Sequence, residues 1–175
     1  MKKSILGIIC VILVIAFSSF CINANASNNI VNIENGWNYH SDVDEMDGST
    51  SKGAIIISSN IVEFESPYDG GSKLAIIIHG SENVSVVGIG IINGKFNFNE
   101  DDGINYVRVR FDNDTPILFL TEPSDDSSDL LFLKLSNTKE FIELAKKAKT
   151  IKIEAPFFGE DWRAFTFNAK KPLVW

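Results

Sequence analysis

The chain has 175 residues, a formal net charge of −7, 45% hydrophobic residues and two cysteines. That length suits one domain rather than two, and the apolar content excludes wholesale disorder. The excess of acids argues against nucleic acid as partner, because neutralising a phosphate backbone takes a basic face.

Residues 1–26 read as a cleaved signal peptide. Lys2 and Lys3 form a basic start, Ile5 to Phe20 is an apolar run, and Ala24-Asn25-Ala26 is an A-x-A cleavage signal. The run is shorter than the roughly 20 residues that span a bilayer, so no stable membrane anchor is expected after cleavage. Phe20 and Ser18 precede Cys21 where a lipobox needs a small residue and leucine, so lipidation is not expected. Both cysteines, Cys10 and Cys21, leave with the leader, and loss of Lys2 and Lys3 takes the net charge from −7 to −9. The expected product is one exported domain, 27–175, in the bacterial periplasm or outside the cell. It has no thiol for redox or nucleophilic chemistry.

Next, Asn38 to Lys52 shows no apolar pattern. Runs of β-branched and apolar residues predict strands at Gly53–Ser58, Ile61–Glu65, Leu74–Ile78 and Val84–Ile92. Pro67 to Gly71 is a turn cluster. Asn93-Gly94 predicts a hairpin into Phe96 and Phe98. Ile104–Phe111 alternates, with Val107, Val109 and Phe111 on one face and Tyr106, Arg108 and Arg110 on the other. Further strands are expected at Ile117–Leu120, Leu130–Leu135, Thr150–Glu154 and Arg163–Asn168. Leu131, Leu133 and Leu135 of the second, and Ile151 and Ile153 of the third, should point inward. A helix is expected over 137–149. Asn137 and Glu140 have capping-box spacing, and Phe141, Leu144, Ala145 and Ala148 form its apolar stripe. The fold class is therefore α+β: a mainly antiparallel sheet or sandwich of about nine strands with one packed helix. The strands flanking the helix could run parallel through a right-handed crossover.

Chemistry-bearing patterns are sparse. No nucleophile elbow, phosphate loop or dinucleotide fingerprint occurs, so catalytic residues are expected to be none. His40 lies near Asp42, Asp44 and Asp47, and Asp42-Val43-Asp44 opens like a calcium loop. Gly48 then falls one place late, as does Gly103 after Asn97, Asn99 and Asp101. Solvated acidic turns are the expectation, with weak calcium binding at Asp42, Asp44 and Asp47 as the alternative; no other cofactor is implied. Tyr106, Arg108 and Arg110 form a basic-aromatic row along one strand face, about 7 Å between neighbours. Such a row grips a carboxylate or anionic peptide, or pairs with acids on adjacent strands. In the loop Pro156 to Asp161 and beyond, Phe157 is expected to cap the core and Trp162 to be exposed for binding. Trp37 is expected to plug the core at the domain entrance.

Several segments together carry a resemblance. They are Trp37 followed by Asp44-Glu45-Met46-Asp47-Gly48-Ser49, the strand Lys73-Leu74-Ala75-Ile76-Ile77, and Val107-Arg108-Val109-Arg110-Phe111-Asp112. Phe141 to Ile153 and the closing Ala164-Phe165-Thr166-Phe167 complete the set. Over about 37–175 the chain resembles the periplasmic accessory proteins associated with type VI secretion, often called TagO-like or VasI-like, and related bacterial or phage envelope proteins. That group often has a cysteine after the strand corresponding to 73–77; this chain has Ile78-His79 there. The resemblance implies a non-enzymatic envelope module with a protein partner. Two other functions remain open on the residues alone: an acidic inhibitor of a cationic enzyme such as lysozyme, and a secreted hydrolase using carboxylates.

Overall fold

The computed structural model describes residues 36–81, 84–98 and 105–175. The leader read over 1–26 lies outside the described residues, and so does most of the acidic loop around Asp101 and Asp102.

Nine strands are present among the described residues: β1 (Asn38–Val43), β2 (Thr50–Ile57), β3 (Lys73–Ser81), β4 (Val84–Ile92), β5 (Asn105–Phe111), β6 (Ile117–Pro123), β7 (Leu130–Leu133), β8 (Thr150–Pro156) and β9 (Trp162–Asn168). One helix, α1 (Leu135–Ala145), separates β7 from β8. The strands form one sheet in the order β1-β2-β3-β4-β7-β6-β5-β8-β9. Every neighbouring pair is antiparallel. The expected mainly-β, α+β architecture is what the chain adopts. The parallel crossover is not: β6 and β5 lie between β7 and β8, so the helix leads across the sheet rather than to an adjacent strand.

Alternation decides which residues fill the interior. Leu74, Ile76 and Ile78 of β3, Val107, Val109 and Phe111 of β5, Ile151 and Ile153 of β8, and Phe165 and Phe167 of β9 all join one buried core. Helix α1 adds Phe141, Ile142 and Ala145 to it. Phe141 meets Phe111 at 5.4 Å and Phe119 at 5.6 Å between ring centres, both edge-on. That geometry suits the ring quadrupoles. A single core is possible because the sheet curls on itself. The Ser59 amide donates to the Thr166 carbonyl at 2.7 Å, and the Asn60 side-chain amide donates to the Ala164 carbonyl at 3.2 Å. The Thr166 amide donates back to Asn60 Oδ1 at 2.7 Å. The chain just after β2 thus covers the open edge of β9.

Several local expectations change. The helix starts at Leu135 and ends at Ala145, with Lys134 as its cap and no side-chain capping bond. Asn137 instead accepts the Leu120 amide on β6 at 3.2 Å, so its side chain serves the sheet and leaves the helix end. Leu135 is exposed rather than inward, because the strand has already given way to helix. Ile61–Glu65 forms only a single bridge, Val62 with Ser72. Asn93-Gly94 makes no hairpin: Phe96 bridges Phe157 far along the chain. The Asn93 side-chain amide faces the carbonyls of Tyr68, Asp69 and Gly71 at 3.0–3.3 Å. Long-range hydrogen bonding has outcompeted the local turn preference. Finally, the patternless 38–52 stretch contains β1, an edge strand whose side chains from Tyr39 onward are exposed. Such a strand has no apolar alternation to display.

Candidate functional site

The outer face of β6, β5, β8 and β9 gathers the residues singled out by sequence. On β5 the inward residues are Val107, Val109 and Phe111. Tyr106, Arg108 and Arg110 therefore face away from the core. Register then sets their neighbours. Arg108 lies opposite Leu118 of β6 and Glu154 of β8, and Glu154 lies opposite Ala164 of β9. Tyr106 lies opposite Leu120. One step along β8, Pro156 faces Trp162.

These pairings produce an aromatic step beside a charged step. The Tyr106 and Trp162 rings are 5.3 Å apart with 34° between planes, an attractive offset contact. Each residue is 37% exposed, so the stacked pair faces solvent. Leu118, Leu120 and Phe158 are also exposed. The Arg108 guanidinium binds the Glu154 carboxylate at 2.7 Å, with half of the arginine side chain in solvent. A pair this exposed contributes about 0–1 kcal/mol.

One row further, Arg110 stands directly opposite Lys152. No carboxylate among the described residues forms an ion pair with either. Trp162 thus lies beside the predicted row, which extends from one strand to a patch spanning four. Sequence reasoning did not find Leu118, Leu120, Glu154 and Lys152. Their alternation was legible, but strand order was not.

The adjoining loop is held by Glu160. Its carboxylate accepts from the Arg163 guanidinium at 2.5–3.0 Å and from the Glu65 amide at 2.9 Å. Those donors, Arg163 first, hold the carboxyl below its usual range. Phe157 caps the core as expected, fully buried between Phe64, Phe96 and Phe165. Trp37 is partly buried against the core.

The acidic stretch forms the turn between β1 and β2. Asp44 Oδ1 accepts the Met46 amide at 2.7 Å, and Asp47 Oδ1 accepts the Ser49 amide at 2.8 Å. Hydrogen bonds from Ser49 hold the Asp47 carboxyl below its ordinary value. Asp42 belongs to β1 itself. The three carboxylates serve turn amides and an exposed strand edge. Among the described residues no three His, Cys, Asp or Glu side chains converge as a metal-ligand set.

A second arrangement was not anticipated. His40, Gly53 and His79 share one row across β1, β2 and β3. The His40 ring occupies the space that a side chain at Gly53 would need. His79 is half-buried. Burial, and then the neighbouring His40, hold its imidazole below the ordinary value, against a smaller opposing pull from Asp42. The two histidines are far apart in sequence, and only the register brings them together.

A groove of about 370 Å³ runs between α1 and Trp175. Of its lining, Glu143, Lys146, Ser85 and Trp175 are already engaged. Lys146 binds Glu143 at 2.9 Å, Lys52 lies 4.5 Å from the centre of the Trp175 ring, and the Trp175 indole donates to Ser85 at 3.2 Å. Among the described residues no helix is long and apolar enough to cross a membrane. Compared with known proteins, the chain matches no family model, no curated sequence and no solved structure.

Proposed function

We propose that this is an exported, non-catalytic binding or accessory module that works by protein–protein contact at the cell envelope. One observation carries the reading: the solvent-facing Tyr106–Trp162 pair, flanked by exposed Leu118 and Leu120 and by Arg108 and Arg110. Tyrosine, tryptophan and arginine are the residue types that dominate interface energetics. The sheet presents them from fixed strands, so little ordering cost remains on binding. The leader read in the sequence supports export, and the resemblance to periplasmic accessory proteins of type VI secretion supports the envelope as its place.

Affinity capture from envelope extracts with in-cell crosslinking tests this reading. The wild-type domain should retain one specific protein, and the double variant Tyr106→Ala, Trp162→Ala should lose it while keeping its fold by circular dichroism. Absence of any specific protein, or equal recovery by the variant, would overturn it.

A further inference from the structure

The Arg110–Lys152 pair breaks a rule that the rest of the sheet obeys. Two cations directly opposite each other on adjacent antiparallel strands repel and cost stability. One row away, the corresponding position is resolved by charge complementarity: Arg108 faces Glu154 and binds it at 2.7 Å. Glu154 is thereby engaged, and the row through Arg110 and Lys152 ends in neutral Thr166 on β9. Neither cation has an ion-pair partner among the described residues. All this sits in a chain whose acids outnumber its lysines and arginines, 23 to 16. An unmatched cation pair two rows along from an exposed aromatic pair, with Arg108 and Glu154 between them, is the complement of a ligand that brings its own carboxylate.

We infer that Arg110 and Lys152 seat a carboxylate from an acidic segment of the partner protein, while Tyr106, Trp162 and the exposed leucines take an apolar side chain of the same segment. This rests on the functional reading above and deepens it. Four residues of strand separate Tyr106 from Arg110, about 13 Å at the usual rise. An extended partner segment with an aromatic residue four positions from a glutamate spans that distance. Arginine supplies a planar fork for one carboxylate, and lysine a point charge beside it.

The test uses a fluorescein-labelled peptide, Phe-Ser-Glu-Ser-Glu-Ser-Glu, and its glutamine counterpart, at low salt. The full domain should bind the glutamate peptide at least roughly tenfold more tightly than the glutamine one, with affinity falling as salt rises. The decisive variant is Lys152→Glu. It places an acid opposite Arg110, so it should raise Tm while weakening the glutamate peptide by roughly tenfold or more. Stability and binding thus move in opposite directions, which a misfolded variant cannot imitate. Unchanged peptide affinity in Lys152→Glu, equal binding of the two peptides, no binding of either, or tighter binding to phosphatidylglycerol vesicles than to the peptide would each overturn the inference. Partner capture separates the two levels. If Lys152→Glu still retains the envelope protein while Tyr106→Ala, Trp162→Ala loses it, the carboxylate seat fails and the binding-module reading stands. If both variants retain it, both fail.

Discussion

The two edges of the sheet, β1 and β9, are protected by different means. β9 buries Phe165 and Phe167 completely, and its free side is closed by Ser59 and Asn60. β1 buries no side chain. It is held by pairing with β2, by the His40 ring resting over Gly53, and by Tyr39, whose hydroxyl accepts the Val174 amide at 3.0 Å. One edge is therefore anchored through the core, the other through main-chain and polar contacts in water. Open edges invite pairing with other chains, and apolar burial is the stronger anchor of the two. The candidate binding face lies at the anchored end. Trp162 and Ala164 on β9 keep their positions because Phe165 and Phe167, on the opposite face of the same strand, are fixed.

The largest test of this contrast is Phe165→Ala, expected to cost about 3–5 kcal/mol by urea denaturation. Val43→Ala at the end of β1 should stay within about 0.5 kcal/mol. Equal losses at the two sites would erase the distinction. Next comes Asn60→Ala, which removes both bonds to β9. A loss of about 1–3 kcal/mol is expected, with faster amide exchange confined to β9 and the neighbouring turn. Smaller again is Tyr39→Phe, which deletes the acceptor for Val174 and should cost about 0.5–1.5 kcal/mol. If it leaves stability unchanged, the terminal segment does not secure β1.

The smallest effect is a pH slope at the β1 end. The His79 imidazole is held below its ordinary value of 6.5, so the unfolded chain binds a proton that the folded chain resists. Stability should be level above that value and fall as pH drops through it toward the folded value. His79→Gln should flatten this part of the profile. His79 belongs to β3, outside the four strands of the binding face, so peptide binding should show no parallel step from it.

Strand periodicity on β5, β8 and β9 was legible in the sequence, and so was the helix; β3 and β4, buried on successive residues, were legible as continuous β-branched and apolar runs. Period-2 burial writes itself directly into apolar alternation. β1 was not legible, because a strand exposed on every side chain beyond Asn38 has no such signature. The failed Asn93-Gly94 hairpin has a related cause. A two-residue turn preference is small beside the bonds that Asn93 makes with the 68–71 loop. For the site, sequence placed Tyr106, Arg108 and Arg110 on one face, since alternation alone requires it. It did not join Trp162 to them, nor set Glu154 against Arg108 and Lys152 against Arg110.

By itself, then, the sequence determined an acidic, mainly-β domain and the two faces of its alternating strands, because side-chain direction in a strand is a local property of the backbone. Tertiary structure decided the strand order, the curl that brings Ser59 and Asn60 to β9, and the register that leaves two cations facing each other. Those depend on pairings between residues tens of positions apart, whose energies no local window of the chain contains.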